Sequence, residues 1–241
     1  MSRRIHLSNI NISHNVHVSD ASAEAILSTS HNLKSLCIAN CPKLTDRSIA
    51  ALFEKIVSWG KTRNNKTSTL TELVLNENEN FTIQIITYIS TALPLLIKLD
   101  MRDCPNINLS KSMQLMENMK CLEHLYLGPS NIKIDSEMFV EGMLFHASNL
   151  KTLHLIGLSE LNDEDIAEII EASLLLKEIS VSEMDVGSGT VEALCGHVPN
   201  FESFSLAGSK NFSDGDLRVL TSICKKLKGT LHHHHHHHHQ Y

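Results

Sequence analysis

Eight polar or aromatic side chains in the middle of the chain recur at a spacing that would bring them onto one surface. Each lies at an alternate position of a short apolar segment, and alternate residues of a β-strand project from the same face. Tyr and Arg often dominate the binding energy of protein interfaces, so the set favours a protein-binding surface. The alternative is a solvated sheet whose charges pair with one another. The set comprises Glu72, Lys98, Asp100, Arg102, His124, Tyr126, His154 and Glu178.

The same set contains an acid and two imidazoles that could carry acid–base chemistry. Asp100 beside His124 or His154 would also need a nucleophile and a pocket that excludes water. An open sheet provides neither, so we predict that the protein is not an enzyme and uses no cofactor. The six cysteines include no CxxC pair, so we expect free thiols and no metal site.

These side chains belong to a repeated apolar pattern that explains their spacing. Eight segments fit L-x-x-L-x-L, with Ile, Val, Met or Phe replacing some leucines, and their first members are 26, 37, 26, 26, 28, 26 and 25 residues apart. A period in the twenties with this pattern is the signature of leucine-rich repeats. The first members are Leu7, Leu33, Leu70, Leu96, Leu122, Leu150, Leu176 and Phe201.

Each repeat changes from a strand pattern to a helix pattern at a fixed distance. In seven repeats a Ser, Thr or Asn stands twelve residues after the first apolar residue, and side-chain oxygens of these types cap helix N-termini. Helical spacing follows, as for Ile166, Ile169 and Ile170. The expected capping residues are Ser19, Thr45, Thr82, Asn108, Asn162, Ser188 and Ser213.

The predicted fold is therefore an α/β leucine-rich-repeat solenoid. Right-handed strand–helix units stack so that eight parallel strands form a sheet on the concave face. One array of about eight repeats covers residues 1–228, and residues 229–241 form a tail. Its His tract, residues 232–239, resembles an affinity tag, with a natural His tract as the alternative. Both ends of the array look unfinished, so we expect a piece of a longer repeat protein whose ends fray or associate.

One repeat exceeds the period by eleven residues. The extra residues lie between 58 and 68, are polar and basic, and include the only tryptophan of the chain. We expect an exposed loop, either a tolerated insertion or a partner-contacting segment. Its candidate binding residues are Trp59, Lys61 and Arg63.

Two segments resemble the cysteine-containing leucine-rich-repeat subtype: LCIANCPKLTD at residues 36–46 and LDMRDCPNI at residues 99–107. That subtype is similar to what is found in F-box/leucine-rich-repeat proteins and in relatives of the yeast antagonist of mitotic exit. The resemblance implies a repeat region that holds substrates for a cullin-RING ubiquitin ligase. Since the first repeat begins at Leu7, the sequence has no room for an F-box, and ligase subunits would join through a region absent here.

The Cys or Asn that defines this subtype lies eight residues after the first apolar residue of a repeat. Cys41, Cys104, Asn15 and Asn78 share this position. We expect their side chains to point inward and to bond backbone groups of the turn. Their role would then be structural and not redox or catalytic.

Charge and hydropathy restrict the partners. Residues 70–241 carry twelve Lys and Arg against twenty-three Asp and Glu, which disfavours a nucleic-acid partner. No apolar stretch has the roughly 20 residues of a membrane span, so we expect a soluble protein of the cytoplasm or nucleus. The prediction is a protein-interaction module: the substrate-binding repeats of an F-box/leucine-rich-repeat ubiquitin-ligase receptor or, alternatively, a free-standing scaffold or inhibitor.

Overall fold

The computed structural model describes residues 7–28, 32–51, 54, 58, 68–197, 201–223 and 231–232. These residues form one parallel sheet whose strands follow one another in chain order. Helices alternate with the strands, which is the predicted α/β leucine-rich-repeat solenoid. The candidate loop residues Trp59, Lys61 and Arg63 lie outside the described residues.

The sheet has nine strands and not the eight expected. The ninth pairs with the eighth and falls within the residues expected to form a tail. The strands nearest the middle of the array have five residues, whereas the first three and the eighth have three. The strands are β1 (Asn9–Asn11), β2 (Ser35–Cys37), β3 (Glu72–Val74), β4 (Lys98–Arg102), β5 (His124–Gly128), β6 (Thr152–Ile156), β7 (Glu178–Ser182), β8 (Ser203–Ser205) and β9 (Leu231–His232).

The helices lie between consecutive strands and pack against one another. None of the described helices is long and apolar enough to cross a membrane. The helices are α1 (Asp20–Ser28), α2 (residues 47–51, with 54 and 58 also helical), α3 (Ile83–Ala92), α4 (Leu109–Leu115), α5 (Ser136–Leu144), α6 (Asp163–Glu171), α7 (Ser188–His197) and α8 (Asp214–Ile223), with a short 3-10 turn at Ala147–Asn149.

A ladder of apolar residues runs across the sheet on its inner face. Leu99 is in register with Leu73 and Leu125, and all three are fully buried. Each buried aliphatic side chain contributes roughly 1.5–3 kcal/mol. The ladder is less complete at the edge of the sheet formed by β1, where Leu7 is 44% exposed.

The predicted helix caps are partly confirmed. Thr82, Asn108 and Asn162 each accept a hydrogen bond from the first turn of α3, α4 and α6. The prediction for Ser188 was wrong, since this residue is the first of α7. The repeat with the 28-residue spacing uses Asp135, one position later than the pattern.

Carboxylates at the start of one helix bond the start of the next. Asp20 accepts hydrogen bonds from the backbone N–H and hydroxyl of Thr45 at 2.8 and 2.6 Å. Asp46 bonds Thr82 in the same way, at 2.8 and 2.5 Å. Asp163 accepts bonds from Gly187, Gly189 and Thr190, and thereby caps α7 in place of Ser188. These bonds fix the spacing between consecutive repeats.

The position eight residues after the first apolar residue of a repeat is structural in the interior repeats, as expected. Asn78 donates to the carbonyl oxygens of Ile38 and Leu75 and accepts from Cys41 N–H at 3.0 Å. The thiol of Cys104 donates to Leu75 at 3.1 Å, and burial raises its pKa to about 12. Asn15 departs from the expectation because it is exposed, although it still bonds the turn carbonyls.

The chain turns away from each strand through a left-handed residue. Five non-glycine residues have positive φ at this turn, among them Glu77 at 60°, Asp103 at 56° and Glu183 at 53°. The turn N–H of one repeat donates to the next repeat, as from Glu77 to Arg102 and from Glu183 to Ala207. This row of turns forms the rim at the carboxyl ends of the strands, and several of its side chains are acidic.

Candidate functional site

The eight predicted site residues share one face of the sheet. Glu72, Lys98 and His124 are in register across β3, β4 and β5. A second row joins Asp100, Tyr126 and His154 across β4, β5 and β6. Because the apolar ladder occupies the opposite face, these rows face away from the core. We call Lys98, Asp100, Arg102, Tyr126, His154 and Glu178 the central patch.

Asp100 is the buried carboxylate of the central patch. Its carboxylate accepts two hydrogen bonds from the guanidinium of Arg102, at 3.0 Å from Nε and 2.7 Å from Nη2. The Asp100 side chain is only 5% exposed and that of Arg102 is 32% exposed. The hydrogen bond to Asp100 raises the pKa of Arg102, against the opposing effect of burial. Asp100 is therefore a positioning group for Arg102 and not the accessible contact that we predicted.

Two cations of β4, Lys98 and Arg102, lie over the ring of Tyr126. The guanidinium carbon of Arg102 is 4.8 Å from the ring centroid, and Nζ of Lys98 is 5.6 Å from it. Such contacts contribute roughly 0.5–1 kcal/mol at exposed sites. Burial raises the pKa of Tyr126, with further contributions from the carboxylates of Glu178 and Asp100. The ring is held by its neighbours and is neutral at physiological pH.

His154 extends this cluster to the next strands. Its ring makes an edge contact with Tyr126 at 4.6 Å between centroids, and its Nε2 lies 3.2 Å from Oε1 of Glu178. Burial lowers the pKa of His154 although Glu178 opposes this effect. The neutral ring of His154 donates a hydrogen bond from Nε2 to the carboxylate of Glu178, which is 45% exposed.

The other histidine and the remaining acid lie beside the patch. His124 Nδ1 is 2.8 Å from the hydroxyl of Thr152, the residue in register with it on β6. Glu72 is exposed on β3. The Asp–His pair considered for catalysis is not formed by these contacts, since Asp100 bonds Arg102 while His124 and His154 bond Thr152 and Glu178.

Asn76 contacts the central patch, although the sequence analysis did not single it out. Its Nδ2 donates to Asp100 at 3.1 Å, whereas its buried Oδ1 has no hydrogen-bond partner. The sequence did carry a signal for Asn76: it follows Glu72 by an even number of residues, so both side chains are expected on the same face of the sheet. Asn76 and Arg102 together satisfy the buried Asp100 carboxylate.

The central patch presents polar and aromatic side chains in fixed positions. Among the described residues, no group of three His, Cys, Asp or Glu side chains is placed to hold a metal ion. Tyr126 and Arg102 are both half-buried, and each covers part of the other. Their side chains are therefore held in place before any partner arrives, and this lowers the entropy cost of binding.

No protein-family model matches the sequence, and a search of curated proteins finds no match. Solved structures do match. The yeast Rad7–Elc1 complex contains a chain with a TM-score of 0.65 at 16% identity; the match covers 91% of the present chain and 61% of that chain. The present chain thus spans less than two thirds of that relative.

Two bacterial structures also share the fold. Internalin C2 of Listeria monocytogenes has a TM-score of 0.55 at 16% identity, covering 93% of this chain and 80% of that one. The leucine-rich-repeat protein LegL7 of Legionella pneumophila has a TM-score of 0.51 at 12% identity, covering 92% and 82%. At these identities the likeness establishes the leucine-rich-repeat fold.

Proposed function

We propose that the protein is an interaction module that binds a protein partner on the concave face, through the central patch. The observation that carries the proposal is the locked stack of Asp100, Arg102, Tyr126 and His154 on an otherwise open sheet face. Half-buried Tyr and Arg side chains in fixed conformations are the residues that most often dominate interface energy. The fold supports the proposal because repeat arrays use extended curved surfaces for binding.

The partner assignment rests on the repeat subtype. Cys41, Cys104 and Asn78 make the inward contacts expected of the cysteine-containing repeats, and this subtype resembles that of F-box/leucine-rich-repeat proteins. We infer a substrate-binding region of a ubiquitin-ligase receptor, with ligase subunits bound elsewhere in the full protein. That a chain of this fold occurs in the Rad7–Elc1 complex favours assembly with a second protein.

A second candidate is a free-standing scaffold or inhibitor. It would use the same concave face, because the central patch does not depend on a ligase. Identification of the proteins that co-purify with the chain from its native cell separates the two functions: ligase subunits support the receptor, and a stable complex without them supports the scaffold.

The binding surface is tested with a matched pair of variants. In that purification, Tyr126→Ala together with Arg102→Ala removes the two anchors of the patch. We expect the yield of the partner to fall at least about tenfold, since each anchor contributes 1 kcal/mol or more. The control is Lys111→Ala with Glu137→Ala on the exposed surfaces of α4 and α5. An unchanged yield in the patch variant, with loss in the control, would move the binding surface to the helices.

A further inference from the structure

Beside the central patch, the outward-facing positions of β7 and β8 carry four serines. Ser180 is in register with His154 on one side and Ser205 on the other. Ser182 and Ser203 continue this floor along the two strands. The larger side chains of Tyr126 and His154 lie along one edge of these serines, and we call them the Tyr126–His154 wall. We call these four serines the serine floor.

Two carboxylates stand at opposite ends of β7. Glu178 begins the strand and is 45% exposed at the side chain, and Glu183 follows the strand at the rim, where it is exposed. Five residues of extended chain separate them by about 16 Å. The serine floor between them offers hydroxyl groups and no bulk.

The Glu183 side chain lies against the two neighbouring turns of the rim. A Cβ placed on Gly157 would lie 3.7 Å from Glu183 Oε2, and one placed on Gly208 would lie 3.5 Å from its Cγ. Both neighbours in the rim are glycines in close approach to this side chain, which is nevertheless exposed. Glu183 extends over the end of β6, towards the part of the rim that holds Asp103.

The electrostatic surroundings are negative. Burial raises the pKa of Asp103, and the carboxylates of Glu77, Asp100 and Glu183 raise it further against the effect of Arg102. The guanidinium of Arg102 is bound in a bidentate pair by Asp100, so its charge does little to offset the rim. Residues 70–241 carry twelve basic against twenty-three acidic side chains. A field of one sign attracts a partner of the opposite sign.

From this charge complementarity we propose that the serine floor binds an extended basic segment of the protein partner, with cationic side chains at Glu178 and Glu183. Small serines allow a backbone to approach the sheet, and the Tyr126–His154 wall fixes one side of it. The inference rests on the proposed function, because it names the chemistry of the partner on the same concave face.

The test uses the whole chain and a fluorescent peptide of alternating Lys and Ser, twelve residues long, with a Glu–Ser peptide of equal length as its counterpart. Fluorescence anisotropy gives each dissociation constant. We expect the Lys–Ser peptide to bind at least about tenfold tighter than the Glu–Ser peptide. Glu178→Gln with Glu183→Gln should weaken its binding about 3- to 30-fold, as two exposed ion pairs are lost.

The matched control is Glu168→Gln with Glu192→Gln, which removes two exposed carboxylates from helices α6 and α7, the helices before and after β7 in the chain. Equal weakening in both double variants would show diffuse attraction and overturn the inference, as would preference for the Glu–Ser peptide. Partner capture that still depends on Tyr126 would in that case leave the proposed function standing. If partner capture no longer depended on Tyr126 while the Lys–Ser peptide still bound as expected, the proposed function would be overturned instead.

Discussion

The central and the amino-terminal repeats share one apolar ladder and differ on the opposite face of the sheet. In the centre, strands β4 to β7 have five residues and carry the stack of Arg102, Tyr126 and His154. In β1 and β2 the strands have three residues, and the same face carries small groups such as Ser35 and Cys37. The scaffold needs only the ladder, so the other face is free to differ between repeats.

The first prediction from this comparison is that truncating a ladder residue destabilises the protein more in the central repeats than at the edge. Leu99→Ala in the centre should lower the free energy of unfolding by about 2–5 kcal/mol, because Leu99 is fully buried between two neighbouring repeats. The equivalent edge residue, Ile10, has a neighbouring strand on one side only, so Ile10→Ala should cost less. Urea unfolding followed by circular dichroism measures both. Equal losses would remove the distinction between centre and edge.

The bonds between helix starts provide a second test. Asp163 accepts four hydrogen bonds and Asp20 accepts two. Asp163→Asn should lower the free energy of unfolding by about 1–2 kcal/mol, with allowance for partial solvent exposure. Asp20→Asn should lower it by less. Chemical denaturation of the two variants checks the order, and a larger loss for Asp20→Asn would contradict it.

The carboxylate of Asp163 should also make the stability of the protein depend on pH. Burial alone would raise its pKa, but hydrogen bonds from Thr190, Gly187 and Gly189 outweigh burial and lower it below the ordinary value. The stabilisation is then present above about pH 4, the usual aspartate pKa in an unfolded chain, and is lost as the pH falls through the lower folded pKa. The stability gap between wild type and Asp163→Asn should be constant from pH 5 to 8 and should narrow below about pH 4.

A smaller effect is expected from the stack itself. Arg102 and Tyr126 contact each other on the exposed face, so a double-mutant cycle of Arg102→Ala and Tyr126→Ala should give a coupling of about 0.5–1 kcal/mol in stability. Thermal or urea unfolding of the four proteins supplies the cycle. A coupling of zero would mean that the two side chains are not held together in solution.

The smallest predicted effect is the chemical modification of single cysteines. Cys37 lies on the sheet face and is partly exposed, whereas Cys104 is buried, with its pKa raised to about 12. Brief treatment of the native protein with iodoacetamide at pH 8 should modify Cys37 and leave Cys104 unmodified. Mass spectrometry of the digested protein locates the label. Labelling of Cys104 at a similar rate would show that the inner position is open to solvent.

The sequence predicted the scaffold because its signal is periodic. The register of Leu73, Leu99 and Leu125 follows from a pattern that repeats in every unit, and the same alignment placed Tyr126 beside His154. The burial of Asp100 could not be predicted, because it depends on Arg102 folding over it. The capping of α7 by Asp163 was missed for a similar reason, since its bonds join residues 24 or more positions apart.

The central claim is that the partner contacts the concave face of the middle repeats. Hydroxyl-radical footprinting of the purified complex tests it directly, by comparison with the free chain. We predict reduced oxidation of Tyr126 and His154 on binding, and unchanged oxidation of Phe145 and Leu174, which are 49% and 57% exposed beyond the ends of α5 and α6. Protection of Phe145 and Leu174 with no change at Tyr126 and His154 would contradict the claim.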